Sequence, residues 1–413
     1  MSRAGSRYRW VILTTGAVGA GAFAALRMGL PSLGPAVRSE YGLSLGEVGL
    51  AFAAVTGGGM LTLVPWGALT DRIGERPVMA SGLAGCAIAL VGAAVAPSYV
   101  ALLVALFVAG MLGASATGAS GRAVMGWFAR SERGFALGIR QMALPLGGAL
   151  ASLTLPRLVG ARGLDAAFVA LAGLSFTAAV ASLLLMRDPP PGPGGRPAPP
   201  APPPTRDARL WRLGAGGALL VCAQASMLGF IVLFLHDARD VSAATAAAAL
   251  AVVQLIGAGL RIVAGRRSDR EGLRIAPMRR MAARNAALLA ALAALATGPG
   301  AVLYPLLLFA AVATMTWNGL AFTAAAEISG RARAGTAMSL QNTIISVGGA
   351  LAPAAFGVLV ETTSWSAAFG VLAAAPLAAF LVLAPLEGEE DERLAAHALR
   401  ARESPEPRPV EAI

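Results

Sequence analysis

The segment from Gly134 to Leu150, GFALGIRQMALPLGGAL, returns about 200 positions later as GTAMSLQNTIISVGGAL from Gly335 to Leu351. Both copies open on glycine and close on GGAL. WGALTDRIG around Asp71 comes back as AGRRSDREG around Asp269, and AAF at Ala166 to Phe168 comes back at Ala367 to Phe369. Echoes at nearly one spacing, about 200 residues, mean a duplicated unit. Both copies are apolar, so the unit belongs in a membrane, where such duplications place a binding site between the halves near the bilayer midplane.

Composition agrees. The chain is 56% hydrophobic and 13% charged, with a mean hydropathy of +0.68, against about a quarter charged residues in soluble proteins. The net charge of +11 would suggest nucleic acid in a soluble protein. Here the basic residues are all arginine, and most sit in short loops beside apolar stretches, which is the pattern of cytoplasmic loops. Cys86 and Cys222 both lie inside apolar segments, so neither a disulfide framework nor a metal site is signalled. Met1 to Arg9 is basic, but the apolar run after it is too long for a signal peptide and reads as a first span.

About 20 apolar residues cross a bilayer, and the breaks allow twelve crossings: Trp10 to Leu33, Leu45 to Leu69, Val78 to Ala96, Val100 to Trp127, Phe135 to Leu158, Ala166 to Met186, Leu213 to Leu235, Ala243 to Gly265, Met281 to Thr297, Ala301 to Ile328, Thr336 to Val360 and Ala367 to Pro385. The arginines of alternate loops, from Arg72 and Arg76 through Arg331 and Arg333, set those loops and both termini in the cytoplasm. The opposite loops hold Arg38, Arg157, Arg162 and Arg239. This predicts an all-α membrane protein in a plasma (inner) membrane, with the monomer as the expected unit. Residues 1–186 and 210–386 form two six-helix bundles. Residues 187–209, containing PPPGPGGRPAPPAPPP, form a semi-stiff cytoplasmic linker, and 387–413 a cytoplasmic tail that begins acidic. A short helix and then disorder is expected of that tail.

Six plus six spans, a central linker and a glycine-aspartate-arginine loop repeated in each half resemble the major facilitator superfamily. Gly67, Leu69, Asp71, Arg72, Gly74 and Arg76 stand where that family has G-x-L-x-D-R-x-G-x-R. The second copy keeps Gly265, Asp269, Arg270 and Gly272, with Arg267 in place of the leucine. The resemblance implies transport by alternating access and a latch at this loop. In physical terms, Gly67 would let helices approach, Gly74 would permit the tight turn, and Asp71 would meet the positive end of span eleven near Gly335. By the repeat, Asp269 would face the start of span five near Gly134. Arg72, Arg76 and Arg270 read as gate residues or as topology markers.

Charges at membrane depth are costly and face cavities. Arg27, Arg122, Arg140 and Arg261 fall inside spans, and the resemblance implies that spans one, four, seven and ten, with parts of two, five, eight and eleven, line a central cavity. Arg122, eight residues before Arg130, reads as too deep to reach the edge and without an evident acidic partner, which ranks it first for substrate contact. Arg27 is near the far end of span one and within reach of headgroups. Arg261 opens R-I-V-A-G, similar to the span-eight arginine of monocarboxylate and oxalate/formate carriers, which implies carboxylate binding or a gate role. Arg140, beside Gln141, reads as a ligand contact or a helix lock. Gln224, Gln254, Trp317 and Asn318 could add hydrogen bonds and an aromatic wall.

No aspartate or glutamate occupies mid-span, whereas carriers that exchange a proton for a cation need one. Phosphate-cradling glycine loops, metal-ligand spacings and nucleophile triads are missing from the sequence, so no enzyme, no cofactor and no nucleic-acid partner is expected. The reading is a carrier of a small organic anion, a carboxylate in the first instance, driven by protons or by exchange. The alternatives are an efflux antiporter of drugs or metabolites, supported by Pro145, Gly147 and Gly148 in span five, and a substrate sensor on the same fold.

Overall fold

The computed structural model describes residues 3–128, 133–187, 204–329, 334–390 and 392; the proline-rich run and most of the acidic tail lie outside these. The described residues are helical nearly throughout. The first half holds α1 (Arg3–Gly29), α2 (Gly34–Tyr41), α3 (Leu45–Ile73), α4 (Glu75–Ala94), α5 (Tyr99–Gly113), α6 (Ser115–Trp127), α7 (Arg133–Arg162) and α8 (Leu164–Leu185). The second holds α9 (Ala208–Asp237), α10 (Ala243–Glu271), α11 (Ile275–Leu295), α12 (Gly300–Thr314), α13 (Asn318–Ser329), α14 (Ala334–Thr362) and α15 (Trp365–Val382).

Eleven helical segments among the described residues are long and apolar enough to cross a membrane. Between α10 and α12, α11 supplies the remaining crossing; Arg279, Arg280 and Arg284 in its first half dilute its apolar character. Spans four and ten, expected as single helices, are each broken. The hydroxyls of Thr314 and Thr316 accept no helix role but bond the carbonyls of Ala311 and Ala313, and this local competition ends α12. The first span bends rather than stops at Pro31: a 3-10 turn over Leu30–Leu33 carries it on into α2, so the apolar run extends from Arg7 to Tyr41.

The duplication governs the packing. α1 lies along α7 and α4 along α8, and the same pairings recur as α9 with α14 and α11 with α15. Lipid provides no hydrophobic drive for helix association, so close backbone approach has to provide it. At the α3–α5 contact, a Cβ on Gly110 would stand 2.2 Å from the Val55 carbonyl oxygen, and one on Gly58 2.1 Å from that of Phe107. The halves meet where α3 lies on α14 and α7 on α10. A Cβ on Gly49 would be 2.5 Å from the Pro353 oxygen, and one on Gly357 2.3 Å from that of Leu45. These inter-half contacts gather at the end of the bundle remote from the linker. Along α3, Leu45, Val48, Phe52 and Val55 are buried, whereas Leu61, Val64 and Ile73 toward the linker face are exposed. The bundle is closed at its far face and parted at its linker face.

Gly110→Ala is therefore expected to lower the melting temperature in detergent, by the equivalent of about 1–3 kcal/mol for overpacking. Gly92→Ala, where an added Cβ meets nothing within 4 Å, should leave it unchanged or slightly raised; equal effects in the two variants would refute the close-approach account.

Candidate functional site

The four intramembrane arginines differ in what receives their N–H groups. Arg140 is buried: Nε donates to the Ser120 hydroxyl at 2.9 Å, Nη2 to the Thr117 carbonyl at 2.6 Å and Nη1 to Gln141 Oε1 at 3.0 Å. It locks α7 to α6. Arg122 does not stand free at depth, as its spacing suggested. Its guanidinium reaches the α3–α4 turn, donating to the Thr70 carbonyl and pairing with Glu75 at 3.5 Å. Glu75 is the first residue of α4 and 2% exposed, and a carboxylate at a helix N-terminus is favourable. Arg122 thus has its acid partner, and its place is the linker-side turn.

Arg27 and Arg261 are a different case. The bend at Pro31 puts Arg27 near the middle of the Arg7–Tyr41 run, away from headgroups, and Arg261 lies near the middle of α10. Both are half-buried. Arg27 on α1 and Arg261 on α10 belong to opposite halves, and these helices touch where Gln254 of α10 donates to the Met28 carbonyl of α1. Arg261 Nε donates to the Met315 carbonyl at 2.6 Å, an acceptor released by the break after α12. Among the described residues, no carboxylate pairs with either guanidinium.

The neutral candidates divide. Gln224 Oε1 accepts from Asn318 Nδ2 at 2.9 Å, tying α9 to α13, with Asn318 half-buried. Trp317, expected on a cavity wall, is fully buried among Leu320, Ala321 and Ala324 and belongs to the core. Gln254, also expected at a ligand, is 1% exposed and sits in the seam between halves, donating to the Met28 carbonyl at 3.4 Å and the Ser152 hydroxyl at 3.2 Å. Helical spacing alone does not tell a cavity face from a seam.

At the linker face, Gly74 adopts φ +86° and Gly272 φ +68°, so the expected turns are there and need glycine. Among the described residues, Gly67 and Gly265 approach no helix: an added Cβ would meet nothing within 4 Å at either. The reason is the parted linker face, which withdraws the opposing helices. Arg72, Arg76 and Arg270 are exposed. Asp269 pairs with Arg274 at 2.6 Å, and Arg274 pairs also with Glu327 at 3.0 Å; the side chains around Gly134 that Asp269 is expected to face lie outside the described ones. The Asp71 side chain is outside the described ones.

Sequence reasoning missed the partners Glu75 and Glu327. Glu75 at the start of α4 pairs with Arg122 in α6, and Arg274 just before α11 pairs with Glu327 in α13. Each half thus pins its linker-side turn with an ion pair, the acid coming from the start of α4 in the first half and from α13 in the second. The acidic tail begins in the expected helical turn and is docked there: the buried Glu390 carboxylate accepts from the backbone N–H groups of Arg274, Ile275 and Ala276, and Glu387 pairs with Arg279.

Comparison with known proteins matches the Major Facilitator Superfamily model to residues 15–353. An MFS-type transporter of Mycobacterium tuberculosis, Rv2994, is 36% identical over 377 residues, covering 91% of this chain and 84% of the relative. A "Probable sulfoacetate transporter" of Cupriavidus necator is 30% identical over 166 residues, 40% of this chain and 38% of that protein. Among solved structures, an inward-facing bacterial homologue of the lysosomal transporter Spinster superposes with a TM-score of 0.71 at 18% identity, covering 91% of this chain and 95% of that one. A D-xylose–proton symporter gives 0.71 at 16% identity, covering 91% and 97%. Likeness at this level concerns the fold.

The Glu75–Arg122 contact predicts that Arg122→Gln lowers thermal stability by about 1–3 kcal/mol, because a buried carboxylate loses a charged donor. Adding Glu75→Gln should recover part of that loss. A double variant no more stable than Arg122→Gln alone would remove the pair from the stabilising contacts.

Proposed function

Because the chain belongs to the major facilitator superfamily and is a membrane transporter of that type, we propose that its substrate is a small organic anion, held between Arg27 and Arg261 and carried by alternating access. The observation that carries this reading is the pair itself: one guanidinium from each half, near mid-membrane, on helices that touch through Gln254 and Met28, with no carboxylate paired to either among the described residues. Two uncompensated cations repel and are costly to bury. An anion between them relieves both costs at once. A carboxylate or sulfonate matches the planar, multi-donor guanidinium, and two donors in opposite halves suit a ligand that must be released when the halves rearrange. Similarity to a protein named for sulfoacetate, a small carboxylate-sulfonate, supports the same charge type.

The Gln224–Asn318 pair on the second half, with Gln224 buried and Asn318 half-buried, is the neutral hydrogen-bonding partner in this reading. Arg122, Arg140, Gln254 and Trp317 are framework. The arginine-rich loops assign the linker face to the cytoplasm, in a plasma (inner) membrane, so the conformation described is inward-open. Since no carboxylate stands at mid-span, coupling is by a proton that travels on the weak-acid substrate or by exchange of one anion for another. The monomer is the transporting unit, with residues 1–186 and 210–386 as its moving bundles.

Purified protein should gain thermal stability with sulfoacetate or small carboxylates, since a ligand stabilises the state it binds. Arg27→Gln and Arg261→Gln should each weaken that binding by about 10- to 150-fold, as for loss of a charged hydrogen bond, while keeping the melting temperature without ligand. Stabilisation by a permanent cation such as tetraphenylphosphonium, or anion binding untouched in both variants, would overturn the reading.

A further inference from the structure

The far face is closed by an arrangement with no counterpart in the other half of the repeat. α3 begins there, and its first N–H groups need acceptors from outside the helix. Ser44, its N-cap, accepts from the Glu47 N–H at 3.2 Å, and the Glu47 carboxylate returns the bond to the Ser44 N–H at 2.9 Å. The N–H groups of Leu45 and Gly46 instead donate to Glu361, at 2.5 and 3.3 Å. Glu361 stands at the end of α14, in the opposite half. A full negative charge from one bundle is thus seated on the positive end of a 29-residue helix of the other. Nearby, Arg38 of α2 pairs with Asp237 at the end of α9, again across the halves.

The repeat would place the mirror contact between the end of α7 and the start of α10. There the sequence offers Arg157 and Arg162, of the wrong sign for a helix N-terminus, and Arg157 is turned back onto the Leu153 carbonyl of its own helix. α10 is capped by its own Ser242, which accepts from Thr245. The far-face tie is therefore one-sided, built on the α3–α14 seam. A Cβ on Gly46 would stand 2.8 Å from Val358 Cγ2 and 3.4 Å from Glu361 Oε2, so the glycine also makes room for the carboxylate.

We infer that Glu361, with the Arg38–Asp237 pair as its second tie, is the latch that holds the far face shut, and that it must release for the carrier to open on that side. This assignment concerns the gate and does not depend on which substrate is carried. Both contacts join the halves only while the far face is closed, so they weight the conformational equilibrium and leave the binding site itself untouched.

The test is a distance measurement across the far face. Spin labels on cysteines at Glu40 and Thr363, both exposed and in opposite halves, are introduced with Cys86 and Cys222 replaced, and distances are read by pulsed electron resonance in lipid nanodiscs. Glu361→Gln should raise the ratio of far-face-open to far-face-closed protein by about 2- to 30-fold, the range for a carboxylate at a helix end. Glu47→Gln, which alters the same helix end without touching the other half, should not. Asp237→Asn should shift the ratio in the same direction and serves as the reading should the Glu361 variant not fold. Distance distributions unchanged by Glu361→Gln, or by Asp237→Asn in that event, or an equal shift with Glu47→Gln, would overturn the latch.

Discussion

A carrier whose two bundles must part and rejoin cannot be held together by a broad interlocked core, and the seam between α3 and α14 shows what takes its place. Glycines at positions 49 and 357 bring one backbone onto the other, and dispersion over that short stretch holds the far face. Such contact falls off within an ångström or so, so it is lost cleanly once the helices tilt apart. The polar ties near it, Glu361 on α3 and Arg38 with Asp237, add direction to a contact that has none of its own. Everything on the linker side follows from that confinement: with the halves joined at one end, the turn glycines Gly67 and Gly265 face open space.

The intramembrane arginines sort by how much of each guanidinium the protein itself satisfies. Arg140 spends Nε, Nη1 and Nη2 on α6 and its neighbour Gln141, which makes it a brace. Arg122 is shared between a carbonyl and a buried carboxylate. Arg261 gives one donor to Met315. Arg27 stands at the other end of the series, with no carboxylate paired to it among the described residues. Burial of an ion without compensation is costly enough that a fold retains it only where something else gains, and a ligand is the natural beneficiary.

The repeat, the composition and the arginine-rich loops made the helical membrane architecture legible, and the positive-φ glycines Gly74 and Gly272 were legible as turns because a short loop between long helices leaves no other choice of residue. The site was legible only as residue types. Arg122 seemed free because Glu75 is 47 positions away in sequence and on another helix, and nothing in the spacing of either shows that α6 turns one toward the other. Arg27 reads as shallow because the first span is expected to end at Leu33, whereas proline in the first turn of a new helical segment is tolerated and here only bends the run, which continues to Tyr41. Trp317 and Gln254 failed for one reason: period 3.6 identifies a face, and in a two-bundle protein a face can be cavity, core or seam.

The duplication binds backbone geometry more tightly than it binds charge. The pairings of α1 with α7 and of α9 with α14 repeat closely, because each rests on small residues at fixed spacing. The ionic contacts placed on that frame do not repeat. The pair at the linker-side turn is built at different positions in the two halves and swaps which side carries the acid, Glu75 with Arg122 against Arg274 with Glu327, and the far-face carboxylate at Glu361 has arginines around its mirror place. A reversal within a pair leaves its internal attraction intact, so each half keeps its own turn in order.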